Sequence, residues 1–367
     1  MKKESRREFL KNAAIGAAAL SVMRASPGFS QSGPTQWRQS TIKIDMHSHI
    51  AIAEAVDLMP EKPKVLSSPL SPKSAAYQEA LTKALTQQLN NPQRKIEDME
   101  KMGVDRSVLS IAPPQFFYNL EGKLALDVCR TQNDRIAAVV QKYPEKFAGM
   151  ATLPLQNVEA AVAELERAVM QLQLKGVEVG SNVRGRYLGD PIFLPFFEKV
   201  RALDVPVFIH PQNVAGADRM KDYYFPNLVG NPLDTTLTAG HLIFSGIFDR
   251  FPGLKIALSH AGGHLPYIIG RMGHGFKVRP ECQDSIKKSP VEYLGQFYFD
   301  TISHGPEALR YLISRVGADR VLLGTDYPYD MGDTNPLGSI EAVPGLSTAE
   351  KEKIAGKNAA SLFKIKV

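Results

Sequence analysis

The chain has 367 residues, of which 44% are hydrophobic and 22% are charged, and this composition is typical of a globular protein rather than a disordered one. Most of the formal net charge of +6 lies in residues 1–24, which contain six basic and two acidic side chains, so the rest of the chain is close to neutral. No cluster of Lys and Arg with interleaved aromatic residues occurs, and the composition therefore argues against a nucleic-acid partner.

The start of the chain has the features of a targeting segment. Residues 5–11 (Ser-Arg-Arg-Glu-Phe-Leu-Lys) resemble a twin-arginine export signal, and a weakly apolar run follows over 13–23. This run is shorter than the roughly 20 residues that a transmembrane helix needs. We therefore predict a signal peptide over 1–30, a flexible lead-in over 31–41, a folded domain over 42–367, and a periplasmic mature protein without stable membrane insertion.

The first strand of the folded domain is expected to end in a pair of histidines. The β-branched run from Ile42 leads into His47 and His49, and residues i and i+2 of an extended chain point to the same side. Two imidazoles that face one way suit a divalent metal ion. The alternative is a pair of solvated histidines, and the rest of the sequence must decide between the two.

After an insertion over residues 51–91, short apolar runs alternate with amphipathic helical segments. Including the opening strand, eight strands are predicted, and such alternation favours a single α/β domain, a distorted (β/α)8 TIM barrel with an insertion after strand 1. An open doubly wound sheet is the alternative, but no Gly-x-Gly-x-x-Gly follows a strand. The seven later strands are predicted at 106–111, 147–153, 176–180, 205–210, 255–259, 297–300 and 321–324. A helix is predicted around 94–102, where Gly103 ends it, and further helical patterns are predicted at 158–174, 192–203, 233–248, 306–316 and 348–362.

Histidine and aspartate side chains, which can bind a metal ion or transfer a proton, follow several of the predicted strands. A barrel of this type carries its active site at these strand ends. Three imidazoles and a carboxylate satisfy one divalent ion while leaving a position for water or substrate. We therefore predict His47, His49, His210 and Asp326 as the metal ligands. His260, at the end of strand six, is left as the general acid/base, because an imidazole titrates near neutral pH. Zinc is the expected ion, and manganese also suits this ligand set.

Four sequence motifs resemble those of the amidohydrolase superfamily, and most closely its branch around aminocarboxymuconate-semialdehyde decarboxylase. They are Asp-Met-His-Ser-His at 45–49, Phe-Ile-His-Pro at 208–211, Leu-Ser-His-Ala-Gly-Gly at 258–263 and Leu-Gly-Thr-Asp-Tyr-Pro at 323–328. The resemblance implies a distorted barrel with a single zinc ion and His260 as the catalytic proton carrier. It also implies that Arg271 reaches a substrate carboxylate in the neighbouring subunit of a homodimer.

Two reactions fit these residues. The first is non-oxidative decarboxylation of a small unsaturated or aromatic carboxylic acid, with His260 delivering a proton to the carbon that loses CO2. The second is hydrolysis of the lactonase or amidase type, in which Asp326 or His260 moves the proton of metal-bound water. A third alternative, a binding protein that has lost its chemistry, is disfavoured by the complete ligand set.

Overall fold

The computed structural model describes residues 36–60 and 72–366, and its centre is an eight-stranded parallel sheet. The strands follow the order β1-β2-β3-β4-β7-β8-β9-β10, and β5 and β6 form a separate antiparallel pair. The predicted (β/α)8 fold is therefore confirmed. In chain order the strands are β1 Ile44–Ile50, β2 Arg106–Ile111, β3 Phe147–Ala151, β4 Gly176–Gly180, β5 Asn182–Val183, β6 Arg186–Tyr187, β7 Val207–His210, β8 Ile256–Leu258, β9 Phe297–Asp300 and β10 Val321–Leu322.

Backbone hydrogen bonds between β1 and the segment that follows β10 close the sheet into a barrel. The Met46 N–H donates to the Leu323 carbonyl at 2.9 Å, and the His49 N–H donates to the Tyr327 carbonyl at 2.8 Å. The Asp326 N–H donates in the other direction, to the His47 carbonyl at 2.8 Å. Closure therefore brings the first and last of the predicted metal ligands side by side.

Helices surround the barrel and differ from the predicted ones at two places. The helix predicted over 348–362 is interrupted by a π-helical turn at Lys353–Lys357. There Gly356 lies against the Ile42 carbonyl, where a Cβ atom would not fit, and the Ile354 carbonyl accepts a hydrogen bond from the Leu323 N–H. The helix predicted over 233–248 breaks near Gly246, which has a φ of +74°.

The fifteen α-helices assigned in the described part of the chain flank the strands in the expected alternation. They are α1 Gln36–Ser40, α2 Ala53–Asp57, α3 Pro72–Leu89, α4 Pro92–Met102, α5 Gly122–Lys142, α6 Val158–Met170, α7 Leu194–Leu203, α8 Asn231–Phe244, α9 Ile247–Arg250, α10 Leu265–Val278, α11 Pro290–Tyr293, α12 Pro306–Val316, α13 Pro336–Glu341, α14 Thr348–Glu352 and α15 Asn358–Leu362. None of the helices in residues 36–60 and 72–366 combines the length and apolar character that a membrane crossing requires.

Part of the expected flexible lead-in is helical. Helix α1 lies within it, Trp37 is 2% exposed, and the Arg38 Nε donates to Glu341 Oε1 at 2.8 Å. Burial of the indole ring and this ion pair give the segment a reason to be ordered. The predicted signal peptide over 1–30 lies outside the described residues.

Two apolar clusters pack the barrel and determine how far from its end the polar site lies. The larger one lies between strands and helices, and the smaller one includes alternate strand residues such as Met46, Met150 and Phe208 together with Phe363 from the C-terminal segment. Residues of alternate parity on barrel strands fill the barrel interior. Polar groups at the carboxyl ends of the strands therefore rest on a packed apolar floor.

Candidate metal centre

An irregularity in β1 turns its two histidines toward the barrel interior. Asp45 pairs with Ser107 of β2, whereas Ser48 pairs with Leu109, so β1 has one residue more than β2 between these pairs. Such a bulge changes the side to which the following side chains point. The edge of the His47 ring contacts the interior residue Phe208, with ring centroids 4.8 Å apart.

The structure brings the four predicted metal ligands together. Each of His47, His49, His210 and Asp326 is buried and offers one ligand atom, and these four atoms lie within 4.8 Å of one another. The Nε2 atoms of His47 and His49 are 3.0 Å apart, and Asp326 Oδ1 is 3.2 Å from each of them. No other such group occurs within the described residues.

The outer nitrogen of each imidazole is occupied, which directs the inner nitrogen to the centre of the group. His47 Nδ1 lies 2.7 Å from Asp300 Oδ2. His49 Nδ1 lies 3.3 Å from the Ile111 carbonyl oxygen, and His210 Nδ1 lies 3.0 Å from the Pro211 carbonyl oxygen. An Nδ1–H that donates outward leaves Nε2 as a lone pair. Among the described residues, the buried Nε2 of His210 has no hydrogen-bond partner.

The electrostatics of the group call for positive charge at its centre. Burial alone would lower the pKa of His47, but the carboxylates of Asp326 and Asp300 raise it to about 10. Burial lowers the pKa of His49 to about 4, and burial together with the other imidazoles holds the pKa of His210 well below its usual value. A divalent cation would take the place of the Nε2 proton of protonated His47 and leave its Nδ1–H on Asp300, so the donor set fits a metal ion.

Asp300 and Asp45 are buried carboxylates that hold the ligands in place. Asp300 Oδ2 accepts hydrogen bonds from His47 Nδ1 and from the backbone N–H of His260 at 2.8 Å. Burial alone would raise the pKa of Asp300, but the hydrogen bond from His47 lowers it below its usual value. Asp45 accepts from the His47 N–H at 3.0 Å and from Thr325 Oγ1 at 2.6 Å, and it thereby ties β1 to the loop that carries Asp326.

His260 lies beside the four-residue group without belonging to it. Its Nε2 is 3.5 Å from Asp326 Oδ2, and its ring centroid is 5.1 Å from that of His210. The backbone of His260 and Ala261 has positive φ angles of 54° and 55°, and Asp300 accepts hydrogen bonds from both backbone N–H groups. This strained turn is held by Asp300 and presents the imidazole to the space above the metal ligands.

A cavity of about 690 Å³ opens above the site, and both His260 and Asp326 line it. Its wall also includes His264, His304, Tyr267 and Tyr311, and the described lining residues include no lysine or arginine. Arg271 is exposed on α10 and is not among the residues that line the cavity of its own chain. The cavity has the size, the mainly apolar and aromatic wall and the few polar groups of a small-molecule site.

Glu178 and Tyr329 are two polar residues near the ligands for which the sequence predicts no catalytic role. Glu178 is fully buried, its Oε1 lies 3.7 Å from His49 Nδ1, and burial raises its pKa well above the usual value. Tyr329 lies with its ring centroid 5.4 Å from that of His49, and no described residue hydrogen-bonds its hydroxyl. The sequence signal for Glu178 is an acidic residue between Val177 and Val179 in the middle of β4, whereas Tyr329 lies in an irregular loop with no periodic signal.

Comparison with known families and structures agrees with this geometry. The amidohydrolase family model matches residues 44–365 of the chain. The chain belongs to the amidohydrolase family. A 2-amino-3-carboxymuconate-6-semialdehyde decarboxylase of Dictyostelium discoideum is 41% identical over 270 residues, which cover 73% of this chain and 75% of the relative.

Solved structures of this family share the fold. A dihydroxybenzoic acid decarboxylase from Polaromonas sp. JS666, with bound manganese and the inhibitor 2-nitroresorcinol, has a TM-score of 0.77 at 30% identity, covering 89% of this chain and 97% of its own. The 5-carboxyvanillate decarboxylase of Sphingomonas paucimobilis has a TM-score of 0.79 at 28% identity, covering 89% and 100%. These comparisons confirm the predicted metal-dependent carboxy-lyase with a single divalent ion, and they do not favour the hydrolase alternative.

Proposed function

We propose that this amidohydrolase decarboxylates a small aromatic carboxylic acid at the metal centre, with His260 as the proton carrier. The observation that carries the proposal is the position of His260, which lines the cavity and contacts Asp326 while remaining outside the four-ligand group. The aromatic and apolar wall of the cavity suits a flat ring. The relatives named for dihydroxybenzoate and carboxyvanillate support the same substrate class.

The side chains in the cavity account for the proton that the reaction consumes. A divalent ion bound by His47, His49, His210 and Asp326 would supply a Lewis acid for an oxygen of the substrate. The protonated imidazole of His260 donates its proton to the ring carbon that carries the carboxylate. The bond from that carbon to the carboxylate then breaks, its electron pair restores the aromatic ring, and CO2 leaves.

The proposed reaction is tested by CO2 release from a panel of acids. The metal-loaded protein is incubated with 2,6-dihydroxybenzoate, 5-carboxyvanillate and 6-methylsalicylate, and CO2 and the decarboxylated arene are measured in parallel. We expect equal amounts of both products from at least one acid. A matched panel of aromatic lactones and amides covers the hydrolase alternative, and turnover of that panel without CO2 release from the acids would contradict the proposal.

We propose zinc as the resident ion. Three imidazole nitrogens and one carboxylate oxygen form a donor set of the kind that zinc accepts with four ligands, and manganese in a related decarboxylase is the alternative. Elemental analysis of protein purified without added metal tests this choice. About one zinc per chain is expected, and a similar content of manganese in its place would contradict it.

We further propose a homodimer in which the partner subunit's Arg271 contributes to substrate binding. Arg271 is exposed on α10, and Tyr267 on the same helix is 81% exposed next to the cavity. A guanidinium from outside the chain would supply the positive charge that the described cavity wall lacks. Such a group binds a carboxylate with two parallel hydrogen bonds.

Mixed dimers test whether Arg271 acts across the subunit boundary. Arg271→Ala and His260→Ala chains are purified separately, shown to be inactive, and then unfolded and refolded together. If the proposal holds, the mixture regains activity, because one hybrid site combines an intact His260 with the partner's Arg271. Inactivity of a refolded mixture that contains hybrid dimers, or a monomeric protein in light scattering, would contradict the proposal.

We also propose export through the twin-arginine pathway to the periplasm, with a signal over 1–30. The proposal rests on Arg6 and Arg7 and on the apolar run that follows them. Conversion of both arginines to lysine keeps the charge and should leave the protein in the cytoplasm of a host with this pathway. Arg24→Lys is the matched control and should be exported, and export of the double variant would contradict the proposal.

A further inference from the structure

Lys95 is a buried lysine for which the proposed reaction provides no role. It lies in α4, which begins after Asn91 and ends before Gly103. The Asn91 side chain accepts hydrogen bonds from two backbone N–H groups at the start of the helix. The helix packs its apolar face through Ile96 and Met99, yet Lys95 is also only 2% exposed. Burial of an amine is costly unless the group is paired, so the contacts of this side chain need an explanation.

Lys95 contacts two segments that carry metal ligands. Its Nζ donates a hydrogen bond to the carbonyl of His49 at 2.9 Å. The same nitrogen lies over the ring of Tyr327, 4.4 Å from the centroid, in the orientation in which an amine interacts favourably with an aromatic face. Tyr327 directly follows Asp326, so one side chain touches the main chain of one ligand and the neighbour of another.

Other contacts keep Lys95 and these two segments in register. The Tyr327 carbonyl accepts a hydrogen bond from the His49 N–H, and the Tyr327 hydroxyl donates to Asp98 Oδ2 at 2.9 Å. Asp98 lies one helical turn after Lys95. Helix α4 therefore reaches the loop after β10 through two side chains, and Lys95 is the one that also reaches β1.

We infer that Lys95 is a positioning residue. Through its contacts with the His49 carbonyl and the Tyr327 ring, it sets the distance between the ligands His49 and Asp326 in the metal centre. It is not among the described residues that line the cavity, so its contacts with the site are the hydrogen bond to the His49 carbonyl and the ring of Tyr327. Partners that lie behind metal ligands typically change metal affinity by about 10- to 100-fold when they are removed. The inference rests on the metal site and not on the reaction, so its failure would leave the proposed decarboxylation intact.

The inference is tested with Lys95→Met, which keeps the length and apolar stem but removes the amine, and Lys95→Arg, which restores a donor. Zinc affinity is measured by competition with a chelator, and the visible spectrum of the cobalt-substituted protein reports the ligand geometry. We expect Lys95→Met to weaken zinc binding by about 10- to 100-fold and to alter the cobalt spectrum. Lys95→Arg should recover much of both properties.

Lys43→Met is the matched control, because Lys43 Nζ donates to the Arg38 carbonyl at 3.2 Å and pairs with Asp105, away from the metal ligands. It should lower thermal stability without changing zinc affinity or the cobalt spectrum. If Lys95→Met does not fold, Tyr327→Leu replaces it, since this change removes the aromatic face from the same contact. A folded Lys95 or Tyr327 variant with the zinc affinity and cobalt spectrum of the unaltered protein would overturn the inference.

Discussion

Asp300 links the metal ligands to His260, the proposed proton carrier. One of its oxygens accepts from His47 Nδ1 at 2.7 Å and from the His260 N–H, and the other accepts from the Ala261 N–H at 2.7 Å and the Ile302 N–H at 3.0 Å. Four donors around one buried carboxylate leave no place for an amide NH2 group. A single residue therefore sets both the tautomer of a ligand and the turn that presents the imidazole of His260.

Asp300→Asn should consequently impair metal binding and turnover together. The new NH2 group must face at least one of the four donors, and we expect zinc affinity to fall by about 10- to 100-fold. Chelator competition measures the affinity, and CO2 release at saturating zinc measures turnover. Asp190→Asn, which affects a helix-capping carboxylate bonded to the Ile192 N–H, should leave both quantities unchanged. An unaltered zinc affinity in Asp300→Asn would contradict this role.

Metal binding should release a proton from His47. Its pKa is raised to about 10, whereas those of His49 and His210 lie below 6.5, so near neutral pH only His47 must lose a proton to become a ligand. We expect zinc affinity to increase by about tenfold per pH unit from pH 7 to pH 9. Calorimetry in two buffers of different ionisation enthalpy counts the released protons, and a count near zero would contradict the assignment.

The junction of β1 with the segment after β10 is the part of the barrel on which the site depends most. Asp45 receives hydrogen bonds from Thr325 through both its hydroxyl and its N–H, at 2.6 and 3.0 Å. The same hydroxyl accepts from the Tyr327 N–H at 3.1 Å. The hydrogen bonds that help to close the barrel therefore also hold Asp326 in its place.

Thr325→Val should weaken this junction. The substitution keeps the shape but removes the hydroxyl donor to a buried carboxylate, and we expect a loss of about 1–3 kcal/mol in the free energy of unfolding, together with weaker zinc binding. Urea denaturation measures the first effect. Thr86→Val removes an exposed hydroxyl that bonds within α3 and should change stability by less than about 0.5 kcal/mol. Equal stabilities for the two variants would contradict the proposed importance of the junction.

The sequence predicts the elements of this fold well where the signal is periodic or local. All eight barrel strands are predicted, because each contains or follows a short β-branched or apolar run, and α4 ends at Met102, just before the Gly103 that its pattern indicates as the stop. The π-helical turn at Lys353–Lys357 could not be predicted, because it depends on the close approach of Gly356 to the backbone near β1. Contacts between elements distant in sequence leave no periodic pattern.

The candidate site is likewise predictable where the signal is local and unpredictable where it depends on contacts between distant elements. Histidines at strand ends could be placed together because a barrel gathers the ends of its strands. The role inferred for Lys95 could not be predicted, because a lysine on an amphipathic helix is normally solvated. Its burial depends on Tyr327, which lies in a loop more than 200 positions later in the chain.

For the whole molecule, the metal centre joins segments from the beginning, middle and end of the barrel, so an ion should stabilise the folded state. Zinc at 100 times its Kd should add about 2.7 kcal/mol to the free energy of unfolding. Urea denaturation with and without a chelator measures this difference. His210→Ala, which lacks one ligand, should show a smaller difference, and an equal one would indicate that zinc binds elsewhere.

The proposed site divides its work between four side chains that hold the ion and His260, which moves the proton. The most direct test measures zinc content and CO2 release together in His260→Asn. We predict about one zinc per chain, as in the unaltered protein, and a loss of turnover of about 10²- to 10⁴-fold, the usual contribution of one general acid or base. Full turnover with one zinc per chain, or the loss of zinc together with activity, would contradict this assignment of roles.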